Sequence, residues 1–269
     1  MSLFHATADA YSRHRPGLPD EVVQLLAGTL RGIRCPALLD LSTGTDQVPT
    51  ALLPVLPQLA RLHLVDADRD MLHQAGFALR PLHAGRSAAF HPIRAEEFTP
   101  PAEGYRADLV TCARAFWMDR PAVLAMADRV TSPGATLAVM GGGSLWTHPA
   151  SWAVALRELI QSCLGAERRA GTTGACTEPG RRYEDDLAES PFSDIEEHHF
   201  PLRRVWTPDI VVGYLRSIGF ARPDLFGGRH PRFETAARAL LEQHEATKDG
   251  LVEDTVFDVL LARRPGGAR

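Results

Sequence analysis

Two hydrophobic periods interleave along this chain. Residues 37–41 and 62–65 are short, nearly unbroken apolar runs, the pattern of strands covered on both faces. Between them, 48–59 has helix-like spacing, and a small polar loop, 42–46, parts it from the first run. Strand, loop, helix and strand in that order predict a βαβ unit. The loop after its first strand faces a ligand, and an acid ending its second strand, here Asp66, is placed to take a pair of ribose hydroxyls.

The alternation continues. Helical spacing is read over 22–30 after an Arg-Pro-Gly-Leu-Pro break, then over 69–82, 119–130, 151–164 and 231–244. Apolar runs at 90–93, 107–112 and 135–140 predict further strands, with a turn at Pro133 and Gly134. Thr207 and Pro208 carry the N-cap and first-position signature of another helix after a strand near residue 200. The run 255–263 predicts a final, antiparallel strand. The whole reads as an α/β chain with a Rossmann-like, doubly wound, seven-stranded sheet. Its expected organisation is a core with an N-terminal arm over 1–143, an insertion over 144–199 and the C-terminal part of the core over 200–269. The insertion has a helical part and a polar connector, 165–186, and a connection of that length suits a lid over a substrate.

Composition narrows the function classes. The 269 residues are 45% hydrophobic and 23% charged, which excludes a disordered or fibrous chain. A net charge of −4 gives no global basic character, so no nucleic-acid partner is expected. Cys35, Cys112, Cys163 and Cys176 are widely spaced with no close pair, so neither a metal site nor a disulfide framework is expected. No apolar run approaches the ~18 residues of a membrane span, and the opening residues lack a signal-peptide core, so a cytoplasmic protein without membrane contact is expected, as monomer or homodimer.

The residues Leu-Leu-Asp-Leu-Ser-Thr-Gly-Thr-Asp-Gln-Val-Pro from Leu38, followed by Val-Asp-Ala-Asp-Arg-Asp-Met-Leu from Val65, resemble the first two motifs of class I S-adenosylmethionine-dependent methyltransferases. That family's loop pattern is D-x-G-x-G-x-G. Here it runs Asp40, Leu41, Ser42, Thr43, Gly44, Thr45, Asp46, keeping the central glycine alone. Ser42 is expected to fit if the backbone turns there without a positive φ, whereas Asp46 brings a side chain and a charge where relatives have neither. The resemblance implies S-adenosylmethionine as donor and S-adenosylhomocysteine as product. By it, Asp40, Ser42, Thr43, Gly44, Asp66, Ala67, Met71, Ala95, Glu96 and Arg114 would line the donor site. Met71 would pack on the adenine, and Glu96, from an A-E-x-x stretch, would bond its edge; a solvated carboxylate is the alternative for Glu96. Tyr11, in an A-x-x-Y-x-x-x-R-P segment, would cover the donor's carboxylate or sulfonium end, or pin an amphipathic arm to the domain.

The opening F-H-A-T-A and the W-T-x-D-x-V-x-G-Y-L pattern from Trp206 are similar to gentamicin-type aminoglycoside N-methyltransferases. That likeness implies a cationic sugar substrate in antibiotic biosynthesis. Phe116 and Trp117 would wall the transfer chamber or belong to plain core. A local run of acids, Asp185 and Asp186 at its centre, would meet the cation, although such runs are usually solvated faces. His148, at the start of the insertion, and His5 are the candidate proton acceptors for an amine nucleophile. The alternatives are a hydroxyl or carboxylate acceptor on another natural product, and a protein that kept the fold but lost donor use.

Overall fold

The computed structural model describes residues 8–82, 85–115, 118–168 and 180–265. In chain order, α1 (Ala8–His14) and α2 (Asp20–Thr29) precede β1 (Ala37–Leu41), α3 (Gln47–Leu52) and β2 (Arg61–Val65). Next come α4 (Arg69–Leu79), β3 (Ser87–His91), β4 (Ala107–Ala113), α5 (Arg120–Val130) and β5 (Thr131–Gly142). Then follow α6 (Ser151–Leu164), α7 (Tyr183–Ala188), β6 (Asp194–Val205), α8 (Pro208–Leu215), α9 (Pro223–Phe226), α10 (His230–Glu245) and β7 (Val252–Arg263).

The seven strands form one sheet in the order β3-β2-β1-β4-β5-β7-β6. β3, β2, β1, β4 and β5 pair in parallel, and the last strands run antiparallel, which is the Rossmann-like, seven-stranded arrangement expected. All five residues of β1 are buried, as a central parallel strand covered on both faces requires. Strand order reverses between β1 and β4, both of which neighbour one another at the middle of the sheet. In open α/β sheets the crevice beyond the carboxyl ends of such strands is where ligands bind.

The chain forms two compact units. One comprises residues 17–141, 179–200 and 257–269; the other comprises 1–16, 142–178 and 201–256. The stretch 144–199 therefore supplies α6 to the second unit, and α7 with the start of β6 to the first. In the first unit, Leu39, Leu41, Val65, Val110 and Cys112 pack with Ala95 and Phe98 in a continuous core. In the second, Trp152, Leu156, Val211, Phe226 and Phe233 form the centre of another.

Several elements differ from expectation for physical reasons. Helix α3 stops at Leu52 rather than 59: Leu53 still has helical backbone, but Pro54 has no N–H with which to continue the helical hydrogen bonds. Strand β3 lies at 87–91 rather than 90–93, ending where Pro92 could not donate to a ladder. The turn expected at Pro133 and Gly134 lies inside β5 as an irregularity: Ala107 pairs with Thr131, but Leu109 pairs with Thr136. A short helix, α7, occupies part of the connector read as polar coil, and β6 begins at Asp194 rather than near 200. Thr207 caps α8 as expected, its side chain accepting from the Ile210 N–H at 3.3 Å.

Candidate functional site

The loop after β1 holds three residues in left-handed backbone at alternate positions: Ser42 at φ 51°, Gly44 at φ 58° and Asp46 at φ 92°. These are the three positions at which D-x-G-x-G-x-G has glycine. The condition set for Ser42 to fit, a turn without a positive φ, is not met: the loop keeps the left-handed turn and imposes it on a serine and an aspartate. Such backbone costs about 1–2 kcal/mol for a residue bearing a Cβ, with aspartate among the more tolerant types. Strain of this kind persists where the surroundings over-determine it, and it concentrates at ligand sites.

Hydrogen bonds fix the loop from beneath. Asp40, 1% exposed, accepts from the Thr43 hydroxyl at 2.5 Å and from the Thr111 hydroxyl. Thr111 stands directly opposite Asp40 in the pairing of β1 with β4. Burial raises the Asp40 carboxyl to about 7, with the charges of Asp66 and Asp46 adding to the rise and the two hydroxyls opposing it. Asp46 precedes α3 and accepts from the Thr50 hydroxyl, and burial brings its carboxyl up to about 6. The Thr43 N–H donates to the Val65 carbonyl at 3.0 Å, which ties the loop to the end of β2.

Asp66 lies just past β2. One carboxylate oxygen accepts the Gly44 N–H at 2.9 Å and the other the Asp68 N–H at 2.8 Å. Burial raises this carboxyl too, against the pull of the two backbone donors. A carboxylate offers about four acceptor sites, so Asp66 retains capacity for hydroxyl donors. Asp68 caps α4 by accepting from Asp70 N–H at 2.9 Å and Met71 N–H at 3.4 Å, which fixes the helix that begins beside this acid.

The other residues expected at the donor site are distributed as follows. Met71 and Ala95 are buried, and Ala67 is exposed. Glu96 does not stand open: Arg94 Nε donates to its carboxylate at 2.5 Å. Arg114, past the end of β4, also has left-handed backbone, at φ 58°. Its guanidinium donates to Gln47 Oε1 at 2.8 Å and lies 5.5 Å from the Phe257 ring centre. Asp40, Ser42, Thr43, Gly44, Asp66 and Arg114 thus come together at the carboxyl ends of β1, β2 and β4.

Three residues escaped sequence reasoning. Thr111 is the polar interruption in the apolar run Leu-Val-Thr-Cys, a signal that was available. Gln47 holds Arg114 from the first residue of α3. Thr45, 1% exposed, has a hydroxyl with no hydrogen-bond partner. An orphaned buried hydroxyl inside a strained loop, beside a carboxylate that collects backbone N–H groups, is the donor set that a polar nucleoside would complete. The residues present therefore fit S-adenosylmethionine.

The residues expected to meet the acceptor fare less evenly. Asp185 is exposed and accepts the Arg182 N–H at 3.3 Å. Asp186 pairs with the buried Arg120 and, at 3.1 Å, with Arg181, so its charge is already met by two guanidinium groups and anchors α7. His5, Phe116 and Trp117 lie outside the described residues.

In the second unit, Tyr11 stacks beneath the Arg15 guanidinium, 4.6 Å from its ring centre. His148 is buried between two backbone groups: Nδ1 accepts the Ala150 N–H at 3.2 Å, and Nε2 faces the Asp254 carbonyl at 3.0 Å. A ring whose Nδ1 accepts and whose Nε2 donates has no lone pair left for a substrate proton. The expectation of His148 as proton acceptor is thus corrected to a structural role. Among the described residues, no group of three or more His, Cys, Asp or Glu is placed to hold a metal ion, and no helix is long and apolar enough to cross a membrane.

No protein-family model matches the chain, and no curated protein matches it in sequence. Solved structures do match in shape. One is described as a candidate type II methyltransferase from Anaeromyxobacter dehalogenans, at 20% identity and a TM-score of 0.56, over 93% of this chain and 97% of that one. Another is the YcgJ protein from Bacillus subtilis, at 12% identity and a TM-score of 0.55, over 92% and 100% respectively. A candidate methyltransferase from Bacillus halodurans aligns at 17% identity and a TM-score of 0.52, over 91% and 98%. Strand order and shape together give this chain the fold of the class I S-adenosylmethionine-dependent methyltransferases.

Proposed function

We propose that the protein is a methyltransferase that uses S-adenosylmethionine. The observation that carries this reading is the loop from Asp40 to Asp46, which keeps left-handed backbone at residues 42, 44 and 46 although two of them are not glycine. A chain that had abandoned the ligand would have no reason to hold Ser42 and Asp46 in a conformation costing about 1–2 kcal/mol each. The orphaned Thr45 hydroxyl and the collected N–H groups at Asp66 support it.

When bound, the donor supplies an electrophilic methyl carbon on a sulfonium. The protein's part is to orient. Asp66 takes ribose hydroxyls with its unused acceptor capacity. Arg114, fixed by Gln47, offers a guanidinium to a carboxylate. In-line displacement needs nucleophile and carbon held about 3–3.5 Å apart and aligned, so positioning supplies most of the rate. No covalent protein intermediate is required.

For the acceptor we favour an amine of an amino sugar, on the sequence likeness to aminoglycoside N-methyltransferases and the exposed Asp185. An amine attacks only when neutral, so its proton must leave before transfer. Calorimetry with S-adenosylhomocysteine tests the donor: saturable binding is expected, and no heat at millimolar ligand would return the chain to a fold without donor use. Mass spectra of products from panels of amino sugars and of hydroxyl- or carboxyl-bearing natural products test the acceptor. Methylation confined to the second panel would overturn the amine.

A further inference from the structure

Asp46 is the feature of this loop that donor binding as such does not require. The residue is 6% exposed and has left-handed backbone at a position glycine would fill without strain. Three carboxyls thereby converge on one short loop: Asp40 at the end of β1, Asp46 at the start of α3 and Asp66 after β2. Two of them, Asp66 and Asp46, act electrostatically on Asp40. Asp46 acts electrostatically on Asp40 from β1 and accepts from the Thr50 hydroxyl of α3, and the adjacent Gln47 accepts from the Arg114 guanidinium beyond β4. Asp68, also buried, acts in turn on Asp66, so carboxyls dominate the described charged groups around this loop.

The two nucleosides of a methyl-transfer cycle differ in charge. At neutral pH the donor carries a carboxylate, an ammonium and a sulfonium, for a net charge of about +1, whereas the thioether product is neutral overall. An ionised carboxylate held in this loop acts on that difference, because Coulomb energies in a water-poor site exceed those in bulk.

Resting on the donor site proposed above, we propose that Asp46 is a specificity-determining residue that makes this site discriminate by charge, holding the sulfonium donor more tightly than its thioether product. The physical consequence is product release favoured at the moment the methyl group leaves. Ionised Asp46 does this work and protonated Asp46 does not. Its carboxyl gains a proton near pH 6, so discrimination is present above that pH and fades below it.

The test is isothermal titration of the intact protein with S-adenosylmethionine and with S-adenosylhomocysteine between about pH 5 and 8, in buffers of differing ionisation heat. The wild type is expected to bind the donor at least about tenfold more tightly than the product at the upper pH, equal to about 1.4 kcal/mol, and to release more protons on binding the donor. The ratio is expected to shrink severalfold at the lower pH. Asp46→Asn and Asp46→Gly, the second free of backbone strain, are expected to lose most of the ratio while keeping product affinity within about threefold. A wild type that binds both nucleosides with one affinity at every pH overturns the proposal and leaves the donor site standing. Variants that keep the wild-type ratio overturn the role of Asp46. A protein that binds neither nucleoside overturns the donor site and this proposal with it.

Discussion

Replacing Asp46 by glycine removes a side chain from the loop and should make the protein more stable. Four contributions set the size. Relief of left-handed backbone at φ 92° gains about 1–2 kcal/mol. The added freedom of glycine in the unfolded chain costs about 0.5–1 kcal/mol. Loss of the bond from the Thr50 hydroxyl costs about 1 kcal/mol. The last contribution depends on pH. Burial raises this carboxyl from 3.8 to about 6, and a full conversion gives about 3 kcal/mol of penalty on the ionised form, taken at about 1–2 kcal/mol because the loop relaxes around a buried charge. For an acid whose folded value is raised, the penalty is absent below about 4, grows between about 4 and 6, and is complete above about 6. The net gain is about 1–2 kcal/mol near pH 8, or roughly 2–8 °C in Tm, falling below about 1 kcal/mol near pH 5. Thermal scans of wild type, Asp46→Gly, Asp46→Asn and Ser42→Gly at both pH values measure it. Ser42→Gly should gain about 0.5–1 kcal/mol at either pH, since it relieves backbone strain alone. An Asp46→Gly protein that loses stability near pH 8, or gains equally at both pH values, would refute a buried carboxyl in strained backbone.

Asp66→Ala removes the acceptor for the Gly44 and Asp68 N–H groups, so S-adenosylhomocysteine affinity should fall at least about tenfold while the far-ultraviolet dichroism holds; unchanged affinity in calorimetry would take Asp66 out of the site. Asp186→Asn should cost about 3 kcal/mol in urea unfolding, because it leaves the buried Arg120 without its carboxylate, whereas Asp185→Asn should stay within about 0.5 kcal/mol and raise KM for an amino sugar. Equal stability losses in the two would show that Arg120 does not depend on Asp186. Burial holds the His63 imidazole down at about 4, with His91 and Arg61 adding to the fall, so the folded state favours the neutral ring; that stability is complete above about pH 6.5 and is lost as pH falls towards 4. His63→Phe should therefore flatten the acid limb of Tm against pH, and a limb parallel to that of the wild type would assign the acid sensitivity elsewhere.

The pattern of apolar runs carried the inner parallel strands, since strands covered on both faces are written as continuous apolar stretches, whereas β3, only half-buried, reads three residues late in the sequence. Asp40, Gly44 and Asp66 were legible for the same reason: each sits at the point where such a run ends. Boundaries moved where proline acted, at Pro54 and Pro92, or where it was absorbed, at Pro133 inside β5. Sequence alone could not show the backbone conformation at Ser42. Whether a non-glycine residue is held at a positive φ depends on what ties the loop down, and those ties run from Thr43 to Val65, from Gly44 to Asp66 and from Thr111 to Asp40, across as many as 71 positions. His148 misled for a similar reason. Its place after a strand fitted a proton acceptor, but the backbone groups that occupy both ring nitrogens belong to residues two and 106 positions away.

The acids of the insertion show how far local charge density can stand from available charge. In sequence, Glu184, Asp185, Asp186 and Glu189 read as one negative patch. In the fold, Glu184 pairs with Arg182, Asp186 with Arg120 and Arg181, and Glu189 with Arg181. Farther on, Glu196 pairs with Arg263. Arginines supply the counter-charge from both near and distant positions, and the patch becomes the set of contacts that anchors α7 and β6. A polycation approaching this surface meets, Asp185 apart, charges that are already offset and screened. The case for an amino-sugar acceptor therefore rests on the sequence likeness and on Asp185, whereas the carboxyls least matched by arginine gather at the loop of Asp40, Asp46 and Asp66, where their hydrogen-bond partners are hydroxyls and backbone N–H groups. Charge selection in this protein is thus better placed to act on the methyl donor than on the molecule that receives the methyl group.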